Sequence, residues 1–182
     1  MPIRSPAMEP ALVPVVTETA LGWAGVALSS LGIRHATLFH RNRASVEGEL
    51  AAFGAVSRVN DPRGAEIEGL LQGYARDGSA SLDDYPVDLP ACSELQRSIW
   101  LALREIPRGE TRSYGWLARR VGRPSAPRAI GAAVGANPIP LWLPCHRVVA
   151  SDGTLHGFGG GLAMKQALLE LEGALPRQLP VA

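Results

Sequence analysis

A cysteine and a histidine are adjacent at Cys145 and His146, between Pro144 and the β-branched pair Val148 and Val149. A thiolate is a strong nucleophile, and a neighbouring imidazole is a common means of generating one. Because adjacent side chains in an extended strand point to opposite faces, these two can cooperate only through a turn or an intervening water. The alternative is a structural thiol buried in a strand, and these residues alone do not decide between the two.

A carboxylate in an unfavourable place is the second candidate. Glu172 lies in the last turn of a helix predicted over 162–172, which Gly173 ends. The helix dipole disfavours an anion at that end, and a broken local rule often marks a functional site. An anion that orients His146 would explain Glu172. The alternative is an exposed glutamate that destabilises the helix only slightly.

The composition is that of a globular protein, with 182 residues, 46% of them hydrophobic and 19% charged. Two cysteines, Cys92 and Cys145, do not suggest a disulfide framework, so a reducing compartment is expected. No Cys/His spacing matches a zinc site, and no metal is predicted. Without a convincing signal peptide or an apolar run long enough to span a membrane, a cytoplasmic location is expected.

Charge is divided unevenly along the chain, although the net charge is only +1. Residues 97–147 contain nine arginines and two glutamates, a balance of +7, whereas residues 1–96 contain seven basic and twelve acidic groups, a balance of −5. A basic block of this kind is typical of a domain that meets phosphates. The alternative is a solvated surface in an arginine-rich protein, since Lys165 is the only lysine.

Residues 1–90 are predicted to form a small N-terminal α/β domain. Its elements are a three-stranded antiparallel sheet and two helices, from apolar runs at 12–16, 23–28 and 33–39 and helical spacing at 45–53 and 63–75. Residues 1–10 are predicted to be a loose tail, and 78–90 a linker with one edge strand near Val87. No chemistry is recognisable here, and His35 and His40 are interpreted as ordinary strand residues.

Residues 91–182 are predicted to form a mainly helical domain. Ser93 and Gln96 form a capping box for its first helix, and two further helices, at 116–121 and 127–137, follow. Their spacing is that of a winged-helix-like helix-turn-helix, although helical hairpins of this length are common in proteins that never touch DNA.

The second of these helices should expose mostly alanine and glycine, with Arg128 near its start. Such a surface cannot read base edges in the major groove, but it suits the minor groove with one inserted arginine. Binding without much sequence preference is therefore expected. The alternative is a tight helix–helix contact, which also selects small residues.

The remaining chain includes two glycine-containing segments. Asp152 and Gly153 predict a turn, and with it a hairpin between Val149 and Leu155. Four glycines around Phe158 predict a wall at which a flat group approaches the backbone. Neither a P-loop nor a dinucleotide-binding fingerprint is present.

Several separated segments together resemble the O6-alkylguanine-DNA alkyltransferases. They are IPRGETRSYG at 106–115, the helix around Arg128, NPIPLWLPCHRVV at 137–149, GFGGGL at 157–162 and LLELEG at 168–173. The resemblance implies an α+β fold and single-turnover DNA repair without a cofactor. An alkyl group on O6 of guanine, with O4 of thymine as an additional candidate, would move irreversibly to Cys145 after the nucleotide flips out of the duplex. The first 90 residues resemble the family's variable N-terminal domain only in length and strand order.

The resemblance also implies roles for individual residues. Cys145 is like the alkyl acceptor, His146 like its water-mediated base, Glu172 like the acid that holds the histidine, and Tyr114 like the proton donor to the leaving guanine. The implied DNA-binding residues are Arg128, which fills the gap of the flipped nucleotide, with Ser113, Arg123, Ala126, Pro127 and Gly131. The implied substrate pocket is formed by Asn137, Trp142, Val148, Phe158, Gly159 and Gly160.

Three positions depart from the family's usual residues. Phe158 replaces a frequent tyrosine, Gly159 a serine found in some members, and Pro127 a usual alanine. The implied partner is double-stranded DNA containing O6-alkylguanine, bound in the minor groove largely without sequence preference by a monomer; cooperative assembly on DNA is left open, and no membrane is involved. Two other functions are considered: a non-reactive sensor of alkylated DNA, whose known examples lack the cysteine, and a cysteine hydrolase.

Overall fold

A computed structural model of the chain describes residues 11–55 and 61–176, so the predicted tail at 1–10 lies outside the described residues. The first half contains the predicted antiparallel sheet, with strands β1 (Val13–Thr19), β2 (Gly22–Leu28) and β3 (Ile33–Ala36) in that order. β1 and β2 pair from Val13 opposite Leu28 to Thr19 opposite Gly22. The edge strand predicted near Val87 is reduced to a single bridge between Val87 and Ile33.

Two helices cover the opposite faces of this sheet. Alternation along β2 sends Val26 into the main core, where α2 (Gly64–Asp77) packs, and Ala27 into a small cluster under α1 (Arg43–Ala52). The side chain of Asn42 caps α1 by accepting the Ser45 N–H at 2.9 Å. Both helices confirm the predicted helical segments.

The second half is mainly helical, as predicted. Its elements are α3 (Glu94–Leu103), β4 (Arg112–Ser113), α4 (Tyr114–Arg120), α5 (Pro127–Gly135), β5 (Val148–Val149) and α6 (Gly161–Glu172). The capping box of α3 is confirmed, because the Gln96 N–H donates to the Ser93 hydroxyl and the Ser93 N–H to Gln96 Oε1. α4 begins before its predicted start at residue 116, because the Ser113 hydroxyl accepts the Trp116 N–H. α3, α4 and α5 pack against one another around buried leucines and isoleucines.

The predicted hairpin between Val149 and Leu155 is wrong. β5 pairs instead with β4, in parallel, with Ser113 opposite Val149. The turn at residues 152–153 does form, since the Ala150 N–H donates to the Thr154 carbonyl at 3.0 Å, but in the described chain no strand follows it. β5 therefore pairs with a strand that is distant in sequence, and not with the residues that follow the turn.

The two halves share one buried apolar cluster, which extends from Val15 in the sheet to Leu168 in α6. The end of β3 reaches the second half directly, because the Ala36 N–H donates to the Pro138 carbonyl at 3.1 Å. A domain boundary at residue 90 stays a prediction. Among the described helices, none is both long and apolar enough to cross a membrane.

Candidate active site

A braced, strained loop carries the chain from α5 to Cys145. Asn137 fixes it at both ends, because its Nδ2 donates to the Leu143 carbonyl at 2.7 Å and its Oδ1 accepts the Ile139 N–H at 3.0 Å. Leu141 has a φ of 75°, a left-handed conformation that a leucine rarely adopts. Residues 145–147 then form one turn of 3-10 helix, so a turn, one of the two arrangements left open by the sequence, is present and the strand alternative is wrong.

Cys145 opens into a small cavity. The residue is only 8% exposed, and the cavity of about 70 Å³ beside it is lined by Leu38, Val134, Gly135, Asn137, Pro140, Gly157, Phe158 and Gly159. Burial raises the pKa of the Cys145 thiol, against the opposite effects of a hydrogen bond with Asn137 and the charge of Lys165. The resting sulfur is therefore a protonated thiol, and a nucleophilic role requires a base.

His146 and Glu172 form a buried pair, with 2.9 Å between Nε2 and Oε1. The exposed alternative for Glu172 is therefore wrong. Because Nε2 faces a carboxylate, the neutral ring carries its hydrogen there, which leaves Nδ1 as the acceptor. Nδ1 is buried and has no partner among the described residues, so it is free to take a proton.

Two further residues bind Glu172, and sequence reasoning assigned a role to neither of them. Arg147 donates to both oxygens, at 2.8 Å from Nε and 3.0 Å from its terminal nitrogen, and the Tyr74 hydroxyl donates to Oε1 at 2.8 Å. Arg147 also reaches Asp83 at 3.1 Å. Burial alone would raise the pKa of Glu172, but the hydrogen bonds from His146 and Arg147 and their charges hold it well below its ordinary value. The carboxylate is thus a permanent anion.

Tyr114 and Lys165 lie close enough to Cys145 to respond to its charge. Burial raises the pKa of Tyr114, and the negative charge of the Cys145 thiolate, once formed, raises it further, so this phenol stays protonated. Lys165 is fully buried and donates to the carbonyls of Val148 and His156, at 2.6 and 2.9 Å. Burial lowers the pKa of Lys165, and the charge of Cys145 acts in the opposite direction. Its being the only lysine was the one signal in the sequence that could have marked it.

The predicted substrate-pocket residues divide into two groups. Asn137, Phe158 and Gly159 line the cavity at Cys145, and Gly160 lines an adjoining one. Trp142 and Val148 are 1% and 0% exposed, and neither is among the residues that line this cavity. The resemblance assigned Val148 through its backbone, so its role in the pocket stays a prediction, as does that of Trp142. Both side chains pack in the main apolar cluster. Leu38, which follows β3, lines the cavity and was not predicted.

The predicted DNA-binding residues lie in α5 or in the residues just before it, except Ser113, which lies in β4. Arg128 and Arg123 are exposed, as are Pro127 and the alanines and glycine on the same side of α5. A Cβ on the half-buried Gly131 would meet no atom within 4 Å, so this surface is open and smooth. Ala126 and Ser113 are half-buried, and the Ser113 hydroxyl is occupied as the cap of α4. The described residues contain no group of three or more His, Cys, Asp or Glu side chains that could hold a metal ion.

Comparison with known proteins gives a consistent set of relatives. Residues 94–174 match the family model described as 6-O-methylguanine DNA methyltransferase, DNA binding domain. The methylated-DNA–protein-cysteine methyltransferase of Mycolicibacterium paratuberculosis is 55% identical over 89 residues, 49% of this chain and 53% of that relative. The protein of the same name from Mycobacterium tuberculosis is 52% identical over 119 residues, 65% of this chain and 66% of that relative. The chain thus aligns with about half to two thirds of these relatives' length.

Solved structures align over more of the chain. Mycobacterium tuberculosis O6-methylguanine methyltransferase is 31% identical with a TM-score of 0.70, over 94% of this chain and 96% of that one. Mycobacterium tuberculosis OGT in complex with DNA is 33% identical, also with a TM-score of 0.70, over 88% and 92% of the two chains.

Proposed function

This chain belongs to the 6-O-methylguanine DNA methyltransferase family, and we propose that it repairs duplex DNA by moving an alkyl group from O6 of guanine to Sγ of Cys145. One observation supports this most strongly. Cys145 opens into a cavity, while the adjacent His146 is oriented by a buried carboxylate and keeps an unpartnered Nδ1. The cavity of about 70 Å³ has room for a methyl group.

The thiol must lose its proton for this reaction, since its pKa is raised by burial. We assign that proton to His146 Nδ1 by way of one water molecule, and Glu172 then stabilises the imidazolium. Glu172 suits this task because it is a buried, permanent anion whose position is fixed by Arg147 and Tyr74. Asn137 and Lys165 stabilise the thiolate that forms.

The transfer itself exchanges one bond for another. The S–C bond forms as the C–O6 bond breaks, and the electron pair of the broken bond passes to the guanine, which leaves as an anion. Tyr114 is a suitable donor of the proton that neutralises this anion, because its pKa is raised and it keeps its hydrogen. A thioether has no easy leaving group, so each molecule reacts once.

Access to O6 requires that the nucleotide leave the base stack, at a cost of roughly a few kcal/mol. The open surface of α5 fits a minor groove, and Arg128 at its start is exposed and available to occupy the vacated space. The exposed arginines of residues 97–128 supply the attraction to phosphates, which carries little sequence information. Both cysteines are free thiols, and the proposal includes a cytoplasmic location where they stay reduced.

The experiment that tests this function is an intact-mass measurement after incubation with a duplex that carries one O6-methylguanine. Repair gives a stoichiometric gain of one methyl group per chain, and none with the unmodified duplex or with Cys145→Ser. A sensor of alkylated DNA would bind the duplex without any gain in mass. A hydrolase would show no dependence on DNA.

A further inference from the structure

One side-chain hydrogen bond joins α3 to the end of α5. The indole Nε1 of Trp100, in α3, donates to the Ala133 carbonyl at 2.8 Å, and both residues are buried. Among the described residues, no other side chain is hydrogen-bonded to α5. Trp100 takes no part in the proposed chemistry, so this bond needs a separate explanation.

The bond replaces one that the backbone gives up where α5 ends. In a continuing α-helix the Asn137 N–H would donate to the Ala133 carbonyl, four residues earlier. It donates instead to the Val134 carbonyl, at 3.3 Å, while the Ala136 N–H donates to the Ala132 carbonyl at 3.0 Å. The Ala133 carbonyl is therefore a buried acceptor that the helix itself does not satisfy, which is costly, and Trp100 supplies the donor.

Ala133 lies between the two surfaces that the proposed reaction must align. Val134 and Gly135, the next two residues, line the cavity at Cys145. Arg128 lies on the exposed side of the same helix, near its start. The position of α5 therefore decides where bound DNA lies relative to the cavity.

α5 has few large side chains to hold it in place. Of its nine residues, Ile130 and Val134 are the large apolar ones that are buried, and the others are alanine, glycine, proline or arginine. Apolar burial is non-directional, whereas a hydrogen bond fixes a distance and an angle. The Trp100 bond therefore supplies the alignment that the packing of α5 leaves open.

We propose, on the basis of the proposed function, that Trp100 is a positioning residue for repair. Its indole N–H fixes α5 at Ala133, so that DNA held on the outer side of the helix delivers the flipped nucleotide to Cys145. Trp100 acts through α5, since it is not among the residues that line the cavity. Free O6-benzylguanine enters the cavity without being held by α5, so its reaction needs this alignment much less.

The test compares single-turnover rates with a saturating O6-methylguanine duplex and with free O6-benzylguanine, both followed by intact mass. Trp100→Phe keeps an aromatic ring and removes the donor. It should lower the duplex rate about tenfold, roughly the effect of one buried hydrogen bond, and the free-base rate by less than about threefold. Trp100→benzothienylalanine, in which sulfur replaces the indole N–H with almost no change of shape, should give the same result. Equal losses with both substrates, or no loss in either variant, would overturn the proposal.

Leu103→Ala is the matched control, because Leu103 is fully buried in the same helix and its side chain makes no hydrogen bond. It should lower the melting temperature but leave the ratio of the two rates as in wild type. A duplex rate that falls tenfold relative to the free-base rate in Leu103→Ala as well would show that lost stability, and not lost alignment, slows repair.

Arg128 provides a second, independent measurement. If Trp100 acts by placing α5, its effect depends on the arginine that α5 presents to the DNA. In the Arg128→Ala background, Trp100→Phe should therefore lower the duplex rate by less than about threefold. A further loss of about tenfold in the double variant would mean that the two residues act independently, and would overturn the positioning role.

The two proposals fail in different ways. Methyl transfer from the duplex by wild type, at a rate that neither Trp100 variant changes, would reject the role of Trp100 and leave the repair function standing. No transfer to wild type from the duplex or from the free base would reject both.

Discussion

The two halves of the chain contribute to the site in different ways. The second half supplies the groups proposed to react, which are Cys145, His146, Tyr114 and Glu172, all within residues 114–172. The first half supplies support, through the Tyr74 hydroxyl on Glu172 and the side chain of Leu38 in the cavity wall. The proposed reactive groups belong to motifs that can be recognised in the sequence. The groups that hold them in place depend on tertiary contacts, which the sequence does not show directly.

Two arginines of the second half also differ in role, because one is exposed and the other is buried. Arg128 is exposed on α5, where a charge meets solvent or a ligand. Arg147 is 2% exposed and bonded to Glu172, to Asp83 and to the Ile106 carbonyl at 2.7 Å. Removing the first should affect binding, and disturbing the second should affect folding.

The largest effect is expected at His146, the proposed base, which belongs to the second half of the chain. His146→Ala removes the base and should lower the rate of methyl transfer from duplex DNA by roughly 10²- to 10⁴-fold. Single-turnover kinetics by intact mass measure this. His156→Ala, at an exposed histidine, is the control. A loss of less than about tenfold in His146→Ala would contradict the assignment of the base.

A smaller but still large effect is expected on stability. Glu172→Gln leaves the buried Arg147 without its main anion and should lower the free energy of unfolding by about 3 kcal/mol. Urea denaturation measures the change. Glu170→Gln is matched, because Glu170 is half-buried in the same helix and bonded only to Gln166 among the described residues. Equal losses in both variants would mean that the buried network adds no stability.

Arg128→Ala tests the exposed surface against the buried one. It should slow repair in duplex DNA by about 10- to 100-fold and hardly change transfer from free O6-benzylguanine, which needs no nucleotide flipping. Its free energy of unfolding should match wild type, because Arg128 is exposed. Equal losses with duplex and free base would contradict a role in flipping.

Acid sensitivity should depend on Glu172. Its pKa is lower in the folded chain than in the unfolded chain, so the unfolded chain binds this proton first as the pH falls. The stabilisation is complete above the ordinary carboxyl pKa of 4.5 and is lost as the pH falls toward the lower folded value. Between pH 5 and pH 3, wild type should therefore lose stability more steeply than Glu172→Gln in urea titrations. Parallel curves would show that Glu172 titrates normally.

The smallest effect is expected at the contact that joins the two halves. Tyr74→Phe removes one hydrogen bond, but Glu172 Oε1 keeps its donors His146 and Arg147. The free energy of unfolding should fall by about 1 kcal/mol, with a few-fold loss in transfer rate, roughly the value of one hydrogen bond. Tyr85→Phe, beside a different cavity, should leave the rate unchanged. A rate loss as large as that of His146→Ala would show that the first half takes part in the chemistry itself.

The sequence predicted the parts of this molecule that local rules determine. The strands of the sheet and the Ser93 cap follow from residue type and spacing, and both are confirmed. At Cys145 the sequence left a turn and an intervening water open, and the turn is present. From the helix dipole, the sequence predicted that Glu172 orients His146, and the bond between them is present.

What the sequence did not predict depends on contacts between distant residues. The sequence predicted Tyr74 only as a core residue on the apolar face of α2, because nothing near it in the sequence indicates a carboxylate 98 residues away. The pairing of β5 with β4 and the burial of Trp142 likewise depend on packing across the second half. His35 and His40 were interpreted as ordinary strand residues, since their shared partner Glu49 lies on α1.

The central claim is that one particular sulfur takes the alkyl group, and peptide mapping after reaction with the O6-methylguanine duplex tests it most directly. Trypsin places Cys145 in the peptide 129–147 and Cys92 in the peptide 77–97, so the second thiol is an internal control. We expect one methyl group on Cys145 per molecule of damaged duplex and none on Cys92. Methyl groups on both cysteines, or on neither, would contradict the account.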